Sequence, residues 1–339
     1  MMPITSNKAT NYRLNREHPV ILAYHGVTDT PTNGIVNFAG KHIKADVFRE
    51  QMAYIKAHHT PVLLSDLQDR LRSGKIQGNL IVVTFDDGYE NNFSVAWPIL
   101  QELGVPATFF LSTGFIGGQR MFWVDQVEYI FNHTDVPSVQ VDLPGHDNHC
   151  FELRSQRDRI HAVIMTKRVL KRMSPDERRS VLADIRRQAA VDLPADAPQP
   201  YACMSWNQIN EMGADPLIEF GGHTVNHEIL ANLTPEDQRD EVLGAHEALK
   251  GVNSYRNLFA YPNGRSIDYN AATLQLMHEL DYTCATSAEP GFVDLDDDLY
   301  QLSRVIVRAN DNPHMRNTHA AHTFPFDMER VPVIEEDQQ

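Results

Sequence analysis

From Val20 onward, short apolar runs alternate with amphipathic stretches. Val20–Tyr24, Pro61–Leu64, Leu80–Phe85, Ala107–Leu111, Leu217–Phe220, Leu258–Tyr261, Tyr282–Thr286 and Arg304–Val307 read as strands. Several are apolar without a break, as strands covered on both faces are. Helical signals lie between them. Asp46–His59 carries Phe48, Met52 and Ile55 at helical spacing, and Asn92–Leu103 runs into Gly104, a natural helix stop. Ser205 with Gln208 forms a capping box, and Thr234-Pro235 opens a further helix. This alternation predicts an α/β fold with a mostly parallel sheet, and eight strands are what an α/β barrel requires.

The rhythm breaks between Gly117 and Pro200, which holds no convincing buried strand. There Arg154–Arg187 reads as two charged amphipathic helices, the second opening at Ser174-Pro175, and the Pro-rich Leu193–Pro200 returns the chain to the core. The stretch is expected to be a helical insertion serving as a lid or an interface. The predicted division is an N-terminal extension over 1–19, a barrel over 20–310 with the insertion at about 117–200, and a tail over 311–339.

Charge and cysteine content narrow the function. Thirty Lys and Arg against forty-five Asp and Glu give a net charge of −15, which disfavours nucleic acid and anionic membranes as partners. Three scattered cysteines, Cys150, Cys203 and Cys284, fit neither a disulfide framework nor a Cys-rich zinc site, and Cys284 reads as a small core residue. No apolar run reaches the length of a membrane span, and the first residues lack the apolar centre of a signal peptide, so a cytoplasmic location is expected.

In a barrel of parallel strands the chemistry collects where strands end. His25-Gly26 follows the first strand, Asp86-Asp87-Gly88 the third, Gly221-Gly222-His223 and then His227 the fifth, and Pro262-Asn263-Gly264 the sixth. Adjacent carboxylates repel unless a cation lies near, and a divalent metal held by Asp87 would leave Asp86 free as a base; either Asp could instead cap a helix. His223 and His227, four apart, would face the same way on a helical turn and share one metal. Chance alone gives roughly 0.7 such pairs in a chain this rich in histidine. This pair, however, follows a strand. His146 and His149 in the insertion, and His314, His319 and His322 beyond the last strand, read as solvated surface. One Asp with two His and open positions for water is a catalytic zinc set, and it implies hydrolysis.

These residues resemble the polysaccharide deacetylases with a NodB-homology domain. Thr84–Gly88 (TFDDG) is similar to the family's first motif and His223–His227 (HTVNH) to its second, with further likeness in Gly104–Phe110 and Phe259–Gly264. The resemblance implies a deformed (β/α) TIM-like barrel and metal-dependent removal of N- or O-acetyl groups from an acetylated carbohydrate. The metal would be zinc, or cobalt, nickel or manganese. By the same likeness Asp86 is the general base, and Asp87, His223 and His227 are the ligands. The family's third motif usually supplies an Arg that steadies the base. Here Ala260 stands at that place, Tyr261 and Asn263 follow on the oxyanion and substrate side, and Arg304 is the candidate substitute. The layout is closest to the poly-N-acetylglucosamine deacetylases, in which an early Tyr-His supplies the general acid, so His25 takes that role. A cyclic-amide hydrolase of the same superfamily and a non-catalytic carbohydrate-binding relative remain alternatives. The sugar, which the chain does not identify, is expected to be a glycan intermediate.

Overall fold

In the computed structural model, which describes residues 18–117, 120–141 and 149–309, each of the eight apolar runs contributes a strand. In chain order the strands are β1 (Val20–Tyr24), β2 (Gly26–Thr28), β3 (His42–Lys44), β4 (Thr60–Val62), β5 (Leu80–Phe85), β6 (Ala107–Leu111), β7 (Ser138–Val141), β8 (His149–Glu152), β9 (Ile218–Gly222), β10 (Tyr255–Ala260), β11 (Cys284–Thr286) and β12 (Val305–Ile306). The helices are α1 (Ala45–His58), α2 (Leu64–Arg72), α3 (Trp97–Leu103), α4 (Trp123–His133), α5 (Gln156–Leu170), α6 (Pro175–Ala189), α7 (Trp206–Met212), α8 (Pro235–Leu249) and α9 (Ala271–Glu279). The expected caps are present: Ser174 and Ser205 close capping boxes, the Thr234 side chain accepts from the Asp237 N–H, and Gly104 ends α3 at φ 63°.

Strands β11, β10, β9, β6, β5, β1 and β12 pair in that order, all parallel, and β4 joins β5. The sheet curls until its two ends nearly meet. Leu302 bridges Thr286 of β11, and three residues later the same segment pairs with β1 through Val305. The result is a deformed (β/α) barrel. Its interior is filled by Ile21, Val82, Phe110, Leu258, Ala260, Cys284 and Leu302, with α2 plugging one end through Leu64, Leu67 and Leu71. Alternate residues of the same strands, among them Leu22, Val83, Phe85 and Phe109, pack outward against α1, α3 and α7. Two-sided burial explains why these runs lack polar positions.

The stretch between β6 and β9 departs from its expected form. Between Gly117 and Pro200 its described residues contain three helices, α4, α5 and α6, together with the antiparallel pair β7–β8, whose Val139 and Val141 are buried. These pack with Trp123, Val127, Ile130, Phe131, Leu182 and Ile185 into a second hydrophobic core. The missed strands are four residues long and alternate only twice, too little for a periodic signal. His149 opens β8, so it is not in irregular chain, while His146, His314, His319 and His322 lie outside the described residues, as do most of 1–19 and all of 311–339.

Candidate active site

The C-terminal ends of β1, β5, β9 and β10 converge, and they carry His25, Asp86-Asp87, His223 and the Asn263 loop. Asp86 is the first residue past β5, its N–H donating to the Tyr24 carbonyl at 2.9 Å. Arg304 meets it from the opposite flank. The guanidinium grips the carboxylate with both arms, Nη1 to Oδ1 at 2.7 Å and Nη2 to Oδ2 at 2.8 Å, while Nε donates to the Ser287 carbonyl at 2.7 Å. Both partners are buried, Arg304 at 1% exposure and Asp86 at 4%. Burial pushes the Asp86 pKa up, but Arg304 and His223 outweigh it and hold the group below the usual carboxylate range. Arg304 comes so near because the segment carrying it crosses from β11 to β1 and closes the barrel.

Asp87, His223 and His227 form one cluster, each offering a ligand atom within 4.8 Å of the others. Asp87 Oδ1 lies 3.5 Å from His223 Nε2 and 3.2 Å from His227 Nε2, buried and without a hydrogen-bond partner by geometry. Burial raises the Asp87 pKa, but His227 and His223 carry it well below the usual range, so it is a carboxylate. His223 Nδ1 lies 2.7 Å from the Ala260 carbonyl, which places the proton there and turns the Nε2 lone pair inward. A buried carboxylate oxygen with no donor, facing two imidazole nitrogens, is suited to a divalent cation.

The two histidines do not share a helical turn, as their spacing suggested. They lie on an irregular loop after β9, with Thr224 at φ 62° and His227 at φ 55°. Asp87 (φ 77°) and Asn263 (φ 59°) are left-handed too, so four of the eight described non-glycine residues with positive φ belong to this site. Such conformations cost on the order of 1–3 kcal/mol each and persist where surrounding structure imposes them. Here Glu241 of α8 imposes one. Its carboxylate accepts from the Asn226 N–H and Nδ2, both at 2.7 Å, and its carbonyl accepts from the Val225 N–H at 3.1 Å.

His25 follows β1, its carbonyl accepting from Asn92 Nδ2 at 2.8 Å. Partly exposed at the surface of the site but ringed by protein, it is drawn down to a pKa of about 4, by desolvation first and against the pull of Asp87 and Asp86. That is below the ordinary histidine value near 6.5. Gly26 follows because a Cβ there would lie 2.0 Å from His42 Nδ1.

Residue patterns missed a second polar cluster. Lys41 Nζ contacts Asp125 Oδ1 at 2.6 Å and Tyr89 Oη, and Tyr89 Oη donates to Asp125 Oδ2 at 2.7 Å. Burial lowers the Lys41 pKa, but Asp125 and Asp87 raise it further, so the ammonium is secure beside the Asp87, His223 and His227 cluster. Asp125 comes from α4, and Arg178 of α6 pairs with Glu228, the residue after His227. Phe122 packs on His227 with ring centroids 5.2 Å apart. The insertion therefore forms a wall of the site. The only available signal was a lone Asp in the apolar face of α4.

Asn263 is partly exposed, and its N–H has no backbone acceptor among the described residues. Tyr261 is enclosed. Its ring stacks on Tyr269 at 4.0 Å, its hydroxyl donates to the Tyr300 carbonyl at 2.9 Å, and it is 1% exposed. An apolar pocket behind β10 claims the side chain that motif position had assigned to substrate.

Known proteins bear on this geometry. Among solved structures, the Streptococcus pyogenes deacetylase PplD in complex with acetate aligns at a TM-score of 0.56 and 19% identity, covering 88% of this chain and 96% of that one. IcaB from Ammonifex degensii aligns at 0.53 and 18% identity, over 90% and 96%. These show a shared fold. In sequence, YxkH of Bacillus subtilis (strain 168), a polysaccharide deacetylase by name, is 23% identical over 228 residues, 67% of this chain and 51% of its own length. The poly-beta-1,6-N-acetyl-D-glucosamine N-deacetylase of Escherichia coli (strain K12) is 30% identical over 90 residues, 26% and 13%. The chain thus spans about half the length of the first relative and a small part of the second. Residues 73–285 match the family described as polysaccharide deacetylase, a span that takes in both carboxylates, both histidines and the Asn263 loop. The chain belongs to the polysaccharide deacetylase family.

Proposed function

We propose that this protein is a metal-dependent hydrolase that removes acetyl groups, chiefly N-acetyl, from a carbohydrate. The observation that carries the reading is the buried, two-armed Arg304–Asp86 pair beside the Asp87, His223 and His227 cluster. The guanidinium that Arg304 brings to Asp86 favours this reading over a non-catalytic relative.

Asp87, His223 and His227 would hold the cation, zinc by the mixed carboxylate and imidazole donors. When bound, it supplies positive charge that acidifies water and polarises a carbonyl. Asp86 accepts the proton of the attacking water, and Arg304 keeps both its oxygens oriented and its pKa low enough to be ionised at neutral pH. The Asn263 N–H donates to the oxyanion as the acetyl carbon becomes tetrahedral. His25 delivers a proton to the departing nitrogen, which cannot leave as an amide anion. Its low pKa makes it a strong donor that is neutral at rest, so the proton reaches it within the cycle, and the one taken from water is at hand.

The test is acetate release from a panel of acetylated sugars by the zinc-loaded protein, with Asp86→Asn as control. The variant keeps its metal by elemental analysis and loses at least about 100-fold in turnover. Near-normal turnover in a folded, metallated D86N protein would refute the assignment.

A further inference from the structure

The two candidate ligand histidines are held in different ways. The His223 ring is anchored through Nδ1 to the Ala260 carbonyl at 2.7 Å. The His227 ring has no such anchor: its Nε2 faces Asp87 Oδ1 at 3.2 Å, while its Nδ1 is buried with no hydrogen-bond partner among the described residues. A histidine ligand ordinarily donates that second N–H to a carboxylate or carbonyl, which fixes the ring. Besides the His223 ring, the His227 imidazole packs on Phe122, whose centroid lies 5.2 Å away with the two planes at 71°. Phe122 is fully buried, stacks on Phe115 with centroids 4.0 Å apart, and immediately precedes α4 in the insertion.

The backbone around His227 is divided between barrel and insertion. Upstream, the barrel holds it: the Thr113 and Gly114 N–H groups donate to the Thr224 and Val225 carbonyls at 3.2 and 2.8 Å, and the Glu241 carboxylate accepts from the Asn226 N–H. Downstream, the insertion takes over. The Glu228 carboxylate pairs with Arg178 of α6, and Asn232 Nδ2 donates at 2.7 Å to the carbonyl of Lys171, which caps α5, while the Ala231 N–H returns to the barrel at the Asp268 carbonyl, 2.9 Å. The ion pair is buried, with the Arg178 and Glu228 side chains 3% and 13% exposed, and the guanidinium carbon lies 5.0 Å from the ring centroid of Trp123, the first residue of α4. Separating a buried pair is costly, so Glu228 is fixed to α6, and with it the residue before it. That residue is His227, whose φ of 55° persists only because surrounding structure imposes it.

We propose that the insertion sets the metal affinity of the Asp87, His223 and His227 cluster by positioning His227, Phe122 acting on its ring and Arg178 on its backbone through Glu228, an inference that rests on the reading of His227 as a ligand. Positioning and charge predict opposite signs here. Removing the Arg178 cation from beside a cation site, and so freeing the Glu228 carboxylate, should tighten metal binding by Coulomb's law. Loss of a contact that orients a ligand weakens it instead, by about 10–100-fold.

The experiment titrates zinc into the full metal-free chain against a chromogenic chelator, and unfolds the same metal-free samples in urea. Arg178→Met should weaken zinc binding by at least about 10-fold, with Arg178→Lys between it and the parent. R178M combined with Glu228→Gln, which removes one charge of each sign, should bind as weakly as R178M; charge alone predicts the parent's affinity for this double variant. Phe122→Leu should weaken binding separately, through the ring. Tighter or parental zinc binding in R178M overturns the proposal, and lowered urea stability with parental zinc affinity would make the pair purely structural. If R178M does not fold, R178K decides, since it keeps the charge: weaker zinc binding supports positioning, and an unchanged affinity overturns it. In each of these cases the ligand reading stands so long as His227→Ala loses zinc. A parent chain that binds no zinc, or an H227A variant that binds it as tightly as the parent, overturns that reading and the proposal with it.

Discussion

Replacing Arg304 with Met removes the guanidinium that grips Asp86 and leaves the 4%-exposed carboxylate facing an apolar thioether. Taking away one partner of a buried ion pair costs about 3–5 kcal/mol, a large part of the 5–15 kcal/mol by which domains are stable. The sign follows from the Asp86 pKa. In the parent protein it is depressed, so the pair's contribution is fully present above the unfolded value of about 3.9 and is lost as pH falls through the folded value. In R304M burial acts with less opposition and lifts the folded pKa. Its penalty then falls on the charged form, largest at pH 7–8 and shrinking as protonation relieves it toward pH 4. Urea unfolding at pH 5, 6, 7 and 8 measures this directly, and Asp86→Asn combined with Arg304→Met, in which no charge is stranded, should recover at least about 2 kcal/mol at pH 7. The acid limb of kcat/KM should move to higher pH in R304M, with R304K in between. Equal destabilisation at every pH, with the acid limb unmoved, would mean that Arg304 packs the barrel without governing the base.

Three further outcomes are expected. His227→Ala should lose most bound metal by elemental analysis, since Asp87 and His223 alone leave the cluster one donor short. Lys41→Met and Asp125→Asn should each lower stability by about 1–3 kcal/mol and raise KM or lower kcat by roughly 10-fold, because each strands a buried partner in the wall beside Asp87; unchanged kinetics would confine the cluster to a structural role. With its pKa drawn to about 4, His25 is neutral at rest and should add no alkaline limb to kcat/KM between about pH 6 and 8; His25→Ala should keep its metal yet lower kcat by at least about 10-fold, and near-normal turnover would place the acid elsewhere.

What was legible in the sequence was what repeats or what is local. The buried strands announced themselves because both faces are covered, and the caps at Ser174, Ser205 and Thr234 because a side chain bonds a backbone three residues away. The cluster of Asp87, His223 and His227 followed from strand ends alone. The helical turn inferred for the two histidines was wrong because Glu241, from the next helix, holds that loop in left-handed conformations that no spacing rule encodes. The Lys41, Tyr89 and Asp125 cluster joins a loop, the segment after β5 and the insertion, with partners separated by 84 residues in one bond and 36 in another, and no one-dimensional pattern connects them.

The displaced arginine shows how a barrel tolerates such rearrangement. Arg304 meets Asp86, and the place of such a guanidinium in the sequence is free so long as a strand end brings it to the same point. At position 260 the chain has Ala, whose carbonyl sits 2.7 Å from His223 Nδ1, so this strand still orients that imidazole. The charge enters instead from the segment that closes the barrel, where Arg304 fills space next to Phe110, its guanidinium carbon 5.8 Å from the ring centroid. The backbone there is tied at Arg304 N–H to the Glu289 carbonyl at 3.0 Å and at Val307 N–H to Ala23 at 2.9 Å. One short segment thus closes the sheet and holds the Asp86 carboxylate by both oxygens. A substitution that loosens it should disturb the closure of the barrel and the ionisation of Asp86 together, whereas the carbonyl of Ala260 acts on the His223 ring.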